Sequence, residues 1–181
     1  VGNILALRQQ NIKRLLAYSS IAHMGYLLIV LMIILPQSVN LAWQSALFYL
    51  SAYVLATLSL FIVIQITQGH CEGNEQCISD WQGMFWKNRL LAMLVIVAIL
   101  SLAGIPLTPG FIGKFYLLNV AVQAKQWWLI AALVIGSGIG LFYYLRIIFT
   151  LFIDLDVEKI EKLNYSAVGF KFAPIISMSV I

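Results

Sequence analysis

Charge is scarce in this chain. Only 10% of its 181 residues are Asp, Glu, Lys or Arg, and 62% are hydrophobic; soluble domains carry about 25% charged residues. No charged side chain occurs from Leu15 through Cys71, a stretch long enough for two bilayer crossings of about 20 residues each. A soluble fold of this size could not cover so much apolar surface with so little polar chain. Cysteine is equally sparse. Cys71 and Cys77 are the only two, too few for an iron–sulfur cluster, and with His70 they fall one short of the four ligands of a structural zinc site. No glycine-rich phosphate loop follows a strand pattern, which removes the nucleotide-binding signatures. The formal charge of +4 is not gathered into a basic patch that would suit nucleic acid. The basic residues lie at the ends of apolar runs, as in membrane proteins.

What is present is apolar length, with a mean hydropathy of +0.94. The reading is an all-α, polytopic bundle of transmembrane helices whose environment is the lipid bilayer. The expected spans are residues 15–35, 41–65, 90–124, 127–153 and a fifth from 165 to 181 that stops inside its apolar run. A polar loop over about residues 67–87 and a charged linker at 154–162 separate some of them. The chain opens at Val1 and shows no signal-peptide layout. A single transmembrane piece of a longer polytopic protein is therefore expected.

The third span is too long. Thirty-five residues of straight helix would extend about 52 Å, against a hydrocarbon core of ~30 Å; two separate crossings would leave halves too short to span. Gly104, Pro106, Pro109 and Gly110 interrupt it. Proline removes backbone donors and glycine permits a sharp turn, so one discontinuous crossing with an unwound middle at about 104–110 is expected. Broken helices at membrane depth line a cavity or are buried in protein.

Lys114, just past that interruption, is the only charged residue between Leu90 and Ala124. Counting back from Ala124 puts it about 15 Å deep. A charge there costs at least ~2.5–3.5 kcal/mol on insertion scales, so such residues are rare and functional. A buried lysine whose charge depends on hydration or on a nearby carboxylate can load and release a proton. The alternative is a side chain that snorkels to the interface.

Other polar groups suggest auxiliary roles. Lys13, beside Arg14, either anchors the first span or marks an entrance for protons, and His23 lies further along that helix. A wet histidine titrates near neutral pH; a dry one can simply hydrogen-bond a neighbouring helix. Tyr49, Tyr53 and Thr57 recur at i, i+4 and i+8 and form either a polar path or helix-packing contacts. Arg146 follows Gly136, Gly138 and Gly140 in the fourth span and either snorkels or pairs with an acid. Asn164-Tyr165-Ser166 matches a glycosylation sequon but sits at a membrane edge. With a single third crossing, Arg8, Lys13, Arg14, Lys87, Arg89, Lys159 and Lys162 share one side, against Lys125 on the other. The positive-inside bias then puts loop 67–87 in the cytoplasm, with its cysteines as free thiols.

Two stretches carry a family resemblance. Residues 7–26, which include Asn11-Ile12-Lys13-Arg14-Leu15-Leu16-Ala17-Tyr18-Ser19-Ser20 and end in Gly25-Tyr26, resemble a motif of antiporter-like membrane subunits. So does Ser101-Leu102-Ala103-Gly104-Ile105-Pro106-Leu107-Thr108-Pro109-Gly110-Phe111-Ile112-Gly113-Lys114-Phe115. These subunits belong to proton-pumping NADH:quinone oxidoreductase (respiratory complex I) and to Mrp-type cation/proton antiporters. The likeness runs from about Gly2 to Phe152, and Gly113-Lys114-Phe115-Tyr116 and Gly140-Leu141-Phe142-Tyr143-Tyr144-Leu145-Arg146 look most like the subunit N branch. The resemblance implies the C-terminal part of an inverted-repeat fold in a bacterial inner membrane, with other membrane subunits as partners. It implies that Lys114 carries protons while NADH, FMN, iron–sulfur clusters and quinone belong to other subunits, leaving no cofactor or metal in this chain. Sister subunits commonly carry His and Lys on the helix that here offers Tyr49, Tyr53 and Thr57, which weakens a titratable relay there. An Mrp-type antiporter subunit and a non-conducting scaffold are the alternative functions.

Overall fold

A computed structural model describes residues 1–34, 39–68 and 78–153, and every described element is helical. The helices are α1 (Gly2–Leu7), α2 (Ile12–Ile34), α3 (Val39–Gln68), α4 (Met84–Lys87), α5 (Arg89–Ala103), α6 (Pro109–Gln123) and α7 (Trp127–Phe152), with a 3-10 turn at Ile78–Trp81 before α4. Among the described residues, two stretches are long and apolar enough to cross a bilayer, Ala42–Thr67 and Trp127–Phe152, with mean hydropathies of 2.3 and 1.9. The cysteine loop, the charged linker, the sequon and the expected fifth span lie outside the described residues.

Local chemistry sets the helix ends. Asn11 Oδ1 accepts the backbone N–H groups of Lys13 and Arg14 at 3.0 and 3.3 Å, capping the start of α2. At the end of α5, Gly104 adopts φ 78° and ψ 47°, a left-handed geometry that glycine reaches without steric cost. Its N–H and that of Ile105 both return to the Leu100 carbonyl, closing α5 in a Schellman-like turn. Helix α6 restarts with Thr108 as cap, its hydroxyl accepting from the Phe111 N–H, and with Pro109 in the first turn, where its missing N–H costs nothing. Leu107 between them has φ 80° and is fully exposed.

Two apolar clusters organise the packing. One joins Leu15 and Leu16 of α2, Leu60 and Ile64 of α3, Val95 and Ile99 of α5, and Tyr144 and Ile147 of α7. The other joins Tyr26 and Val30, Ala46 and Tyr49, Leu117 and Val120 of α6, and Leu133. Thus α2, α3 and α7 each contribute to both clusters, whereas α5 belongs to the first and α6 to the second. The interruption at 104–108 and the buried polar side chains His23, Ser101 and Lys114 occupy the seam between them.

The glycines of α7 are not equivalent. A Cβ at Gly136 would fall 2.7 Å from the Tyr26 hydroxyl oxygen, whereas one at Gly138 meets nothing within 4 Å and one at Gly140 makes ordinary contacts from 3.5 Å outward. Close packing is required at Gly136 alone of the three.

Candidate functional site

Lys114 sits one turn into α6, 8% exposed, and reaches back across the interruption. Its ammonium donates to the Leu102 and Ala103 carbonyls, each at 2.9 Å. Those carbonyls belong to the last turn of α5, where helical oxygens lose their intrahelical partners and the dipole is negative. The sequence explains why they are free. In an unbroken helix Leu102 would accept from residue 106, which is proline and has no N–H. Gly104 keeps the route open, because a Cβ there would lie 2.8 Å from Lys114 Cδ and 3.0 Å from Nζ. The ammonium also lies over the Tyr26 ring, 5.8 Å from its centre, within cation–π range. Two carbonyls and an aromatic face are thus direct contacts of the ammonium among the described residues.

Beside it is a hydrogen-bonded cluster centred on His23, itself only 3% exposed. His23 Nδ1 is bonded to the Tyr49 hydroxyl at 2.5 Å and Nε2 to the Tyr144 hydroxyl at 3.1 Å. Tyr144 is in turn bonded to Ser19 Oγ. The Tyr53 ring lies 4.9 Å from the imidazole, and Tyr26 meets it edge-on at 5.7 Å. A cavity of about 10 Å³ lies between His23, Tyr49, Tyr53, Ser101 and Gly110, a volume that suits about one water. Gly113 and Gly110 let α6 approach closely, since a Cβ at Gly113 would be 2.9 Å from the Tyr49 ring and one at Gly110 only 1.8 Å from the Ser101 carbonyl oxygen.

The structure therefore brings together Lys114, the interruption at Gly104–Gly110, His23, Tyr49 and Tyr53. It leaves three candidates apart. The Thr57 hydroxyl donates to the Tyr53 and Val54 carbonyls of its own helix. Lys13 is ten residues before His23, about 15 Å along α2. Arg146 is exposed on α7. Sequence reasoning missed Ser19, Tyr26, Ser101, Tyr144 and Asn3. Ser19 and Tyr26 were findable, standing four residues before and three after His23 on the same helix face. The hydroxyl of Tyr144 could be placed only by the rotation of α7 against α2. Among the described residues no three His, Cys, Asp or Glu side chains gather as a metal site.

The described residues form a helical bundle with a lysine buried where α5 ends and α6 begins, and comparison with known proteins places it in a family. Residues 1–140 match the family described as NADH:quinone oxidoreductase/Mrp antiporter, transmembrane; the chain belongs to this family. It is 48% identical over 154 residues to NADH-quinone oxidoreductase subunit N of Chromohalobacter salexigens, covering 84% of this chain and 32% of that one. It is 49% identical over 152 residues to the subunit N of Ectopseudomonas mendocina, covering 83% and 30%. The chain thus spans about a third of the length of these curated relatives. Among solved structures, respiratory complex I from Thermus thermophilus aligns with TM-score 0.72 at 34% identity, over 86% of this chain and 34% of that one. An archaeal membrane-bound sulfane sulfur reductase aligns with TM-score 0.81 at 27% identity, over 98% and 28%. The Mrp complex from Dietzia aligns with TM-score 0.76 over 86% and 28%, at 23% identity, a likeness of fold alone.

Proposed function

We propose that this chain is the C-terminal part of a proton-translocating membrane subunit of NADH:quinone oxidoreductase, with Lys114 as its central proton carrier. The observation that carries the reading is the seat of Lys114: a buried ammonium held by two backbone carbonyls at a helix interruption, beside His23 and its tyrosines. In this reading α5 and α6 together make one discontinuous crossing, supported by their division between the two apolar clusters that every long helix spans. Lys114 takes up a proton from the polar seam and passes it on, while His23, Tyr49 and Tyr53 hold an ordered polar surface beside it. Lys13 serves the mouth of the path, and Thr57 and Arg146 stand off it. Redox chemistry takes place in other subunits of the complex, which bind NADH, FMN, iron–sulfur clusters and quinone. The complex lies in a bacterial inner membrane, with loop 67–87 on the cytoplasmic side. The high identity to subunit N relatives favours this over the Mrp-type antiporter, where the likeness is one of fold.

The test uses the full-length parent in its complex, reconstituted in vesicles. Lys114→Met preserves length and removes the titratable group. Loss of proton pumping, or of quinone reduction coupled to it, is expected. Both activities at the wild-type rate would remove Lys114 from the path and leave a scaffold role.

A further inference from the structure

We propose that Tyr26, fixed by Asn3, is a positioning residue for Lys114, its ring face holding the ammonium against the α5 carbonyls. The inference rests on Lys114 being the proton carrier. Tyr26 is 6% exposed, and the Lys114 nitrogen lies 5.8 Å from its ring centre. The negative face of an aromatic ring attracts a cation, and more strongly where water is excluded. A lysine chain is long and flexible, so two carbonyls alone do not fix the direction from which its head is held. The ring face supplies a third contact beside the two carbonyls.

The ring itself is unusually well fixed. Asn3 on α1 donates through Nδ2 to the Tyr26 hydroxyl at 3.0 Å and to the Gly136 carbonyl at 2.8 Å. Its Oδ1 accepts from the Tyr143 hydroxyl at 3.1 Å. Asn3 is 8% exposed, and these bonds use both sides of its amide. Gly136 fits against the tip of Tyr26, where a Cβ would be 2.7 Å from the hydroxyl oxygen. His23 meets the ring edge-on at 5.7 Å. Helices α1, α2 and α7 are thus joined through one asparagine whose effect is to set the plane of Tyr26. Simple core packing would need neither the amide nor the glycine.

The experiment holds shape nearly constant and varies the charge of the ring face. In the full-length subunit within its complex, position 26 is filled with Tyr26→Phe and then with a series of increasingly fluorinated phenylalanines. Fluorine withdraws charge from the ring face. Pumping per vesicle is expected to fall at least twofold for Phe, which loses the hydroxyl that Asn3 holds, and to fall further, stepwise, with fluorination. The full range is about 2- to 30-fold, from the usual strength of a cation–π contact. Asn3→Ala, which frees the ring edge, is expected to lose pumping at least twofold in assembled complex. A flat fluorination series, or a Phe variant as poor as the most fluorinated one, would overturn the proposal. Lys114→Met, run alongside, separates the two failures. If that variant pumps normally the carrier reading falls, whereas if it is inactive and the fluorination series is flat only the Tyr26 role falls.

Discussion

Of the described glycines whose surroundings are known, Gly110 would bring an added Cβ nearest to backbone, at the last turn of α5, and Gly110→Ala tests whether the site depends on this approach. A Cβ built on Gly110 lies 1.8 Å from the Ser101 carbonyl oxygen and 2.7 Å from its carbonyl carbon. Both are backbone atoms, so no rotamer change relieves the clash. Reaching even 3.0 Å from the oxygen requires α5 and α6 to separate by about 1.2 Å, the difference between 3.0 and 1.8 Å. Overpacking of this kind costs about 1–3 kcal/mol. The bond from the Gly110 N–H to Ser101 Oγ, now 3.2 Å, would be lost with it, at ~1 kcal/mol. The expected destabilisation is then about 2–4 kcal/mol.

The functional consequence follows from geometry. Lys114 is four residues further along α6 and bonds to carbonyls on α5 at 2.9 Å. A displacement of about 1.2 Å along either bond, from the 1.8 Å clash, stretches it to about 4.1 Å, outside hydrogen-bond range. Misplacement by about 1 Å can cost on the order of 100-fold in a positioned reaction. The assay is proton pumping in vesicles together with the thermal inactivation midpoint of the complex. Gly138→Ala serves as control, because its Cβ meets nothing within 4 Å. Gly110→Ala with pumping and midpoint both equal to the control would refute the reasoning: the two helix ends would not need to approach so closely for Lys114 to work.

Two further substitutions separate the polar groups that meet from those that do not. Tyr144→Phe removes the hydroxyl that joins His23 to Ser19; leaving the buried His23 Nε2 without this partner costs about 1–3 kcal/mol, read as a lower inactivation midpoint, and an unchanged midpoint would mean the bond adds no stability. Thr57→Val removes a hydroxyl bonded only to its own helix; stability is expected to change by less than about 0.5 kcal/mol and pumping not at all, while a loss of pumping would return Thr57 to the path.

The all-helical bundle was legible from simple lengths, and the end of α5 and the start of α6 from single residues. Pro106, Pro109, Gly104 and Gly110 act through their own backbones, and an isolated lysine in an apolar run needs no tertiary information to stand out. The hydroxyl stripe was legible for one turn only. Residues four apart on a helix differ by about 40° and residues eight apart by about 80°, so Tyr53 stays near the face of Tyr49 whereas Thr57 has rotated away. Tyr49 accordingly reaches His23 and Tyr53 lies against it, while Thr57 turns to its own backbone. The partners on α1 and α7 were beyond reach of any spacing rule. Asn3 and Tyr143 are 140 residues apart, and Ser19 and Tyr144 are 125 apart; their meeting depends on how three helices rotate against one another.

The seat of Lys114 also bears on how a lysine could release a proton in a low-dielectric interior. Were the ammonium paired with a buried carboxylate, losing the proton would strand an uncompensated anion, and breaking such pairs costs about 3–5 kcal/mol. The described partners of Lys114 are instead the Leu102 and Ala103 carbonyls and the Tyr26 ring. These are neutral groups whose dipoles favour the ammonium and leave no net charge behind when it becomes an amine. The carbonyls are available because Pro106 offers no N–H to Leu102 and because Leu107, at φ 80°, has left the helical path on which it would have served Ala103. The turn that ends α5 at Gly104 and the two residues that keep the helix from resuming thus leave acceptors for a side chain on α6. If Lys114 is the carrier proposed above, the end of α5 and the lysine work together: carbonyl dipoles favour the ammonium and leave no net charge behind when its proton departs.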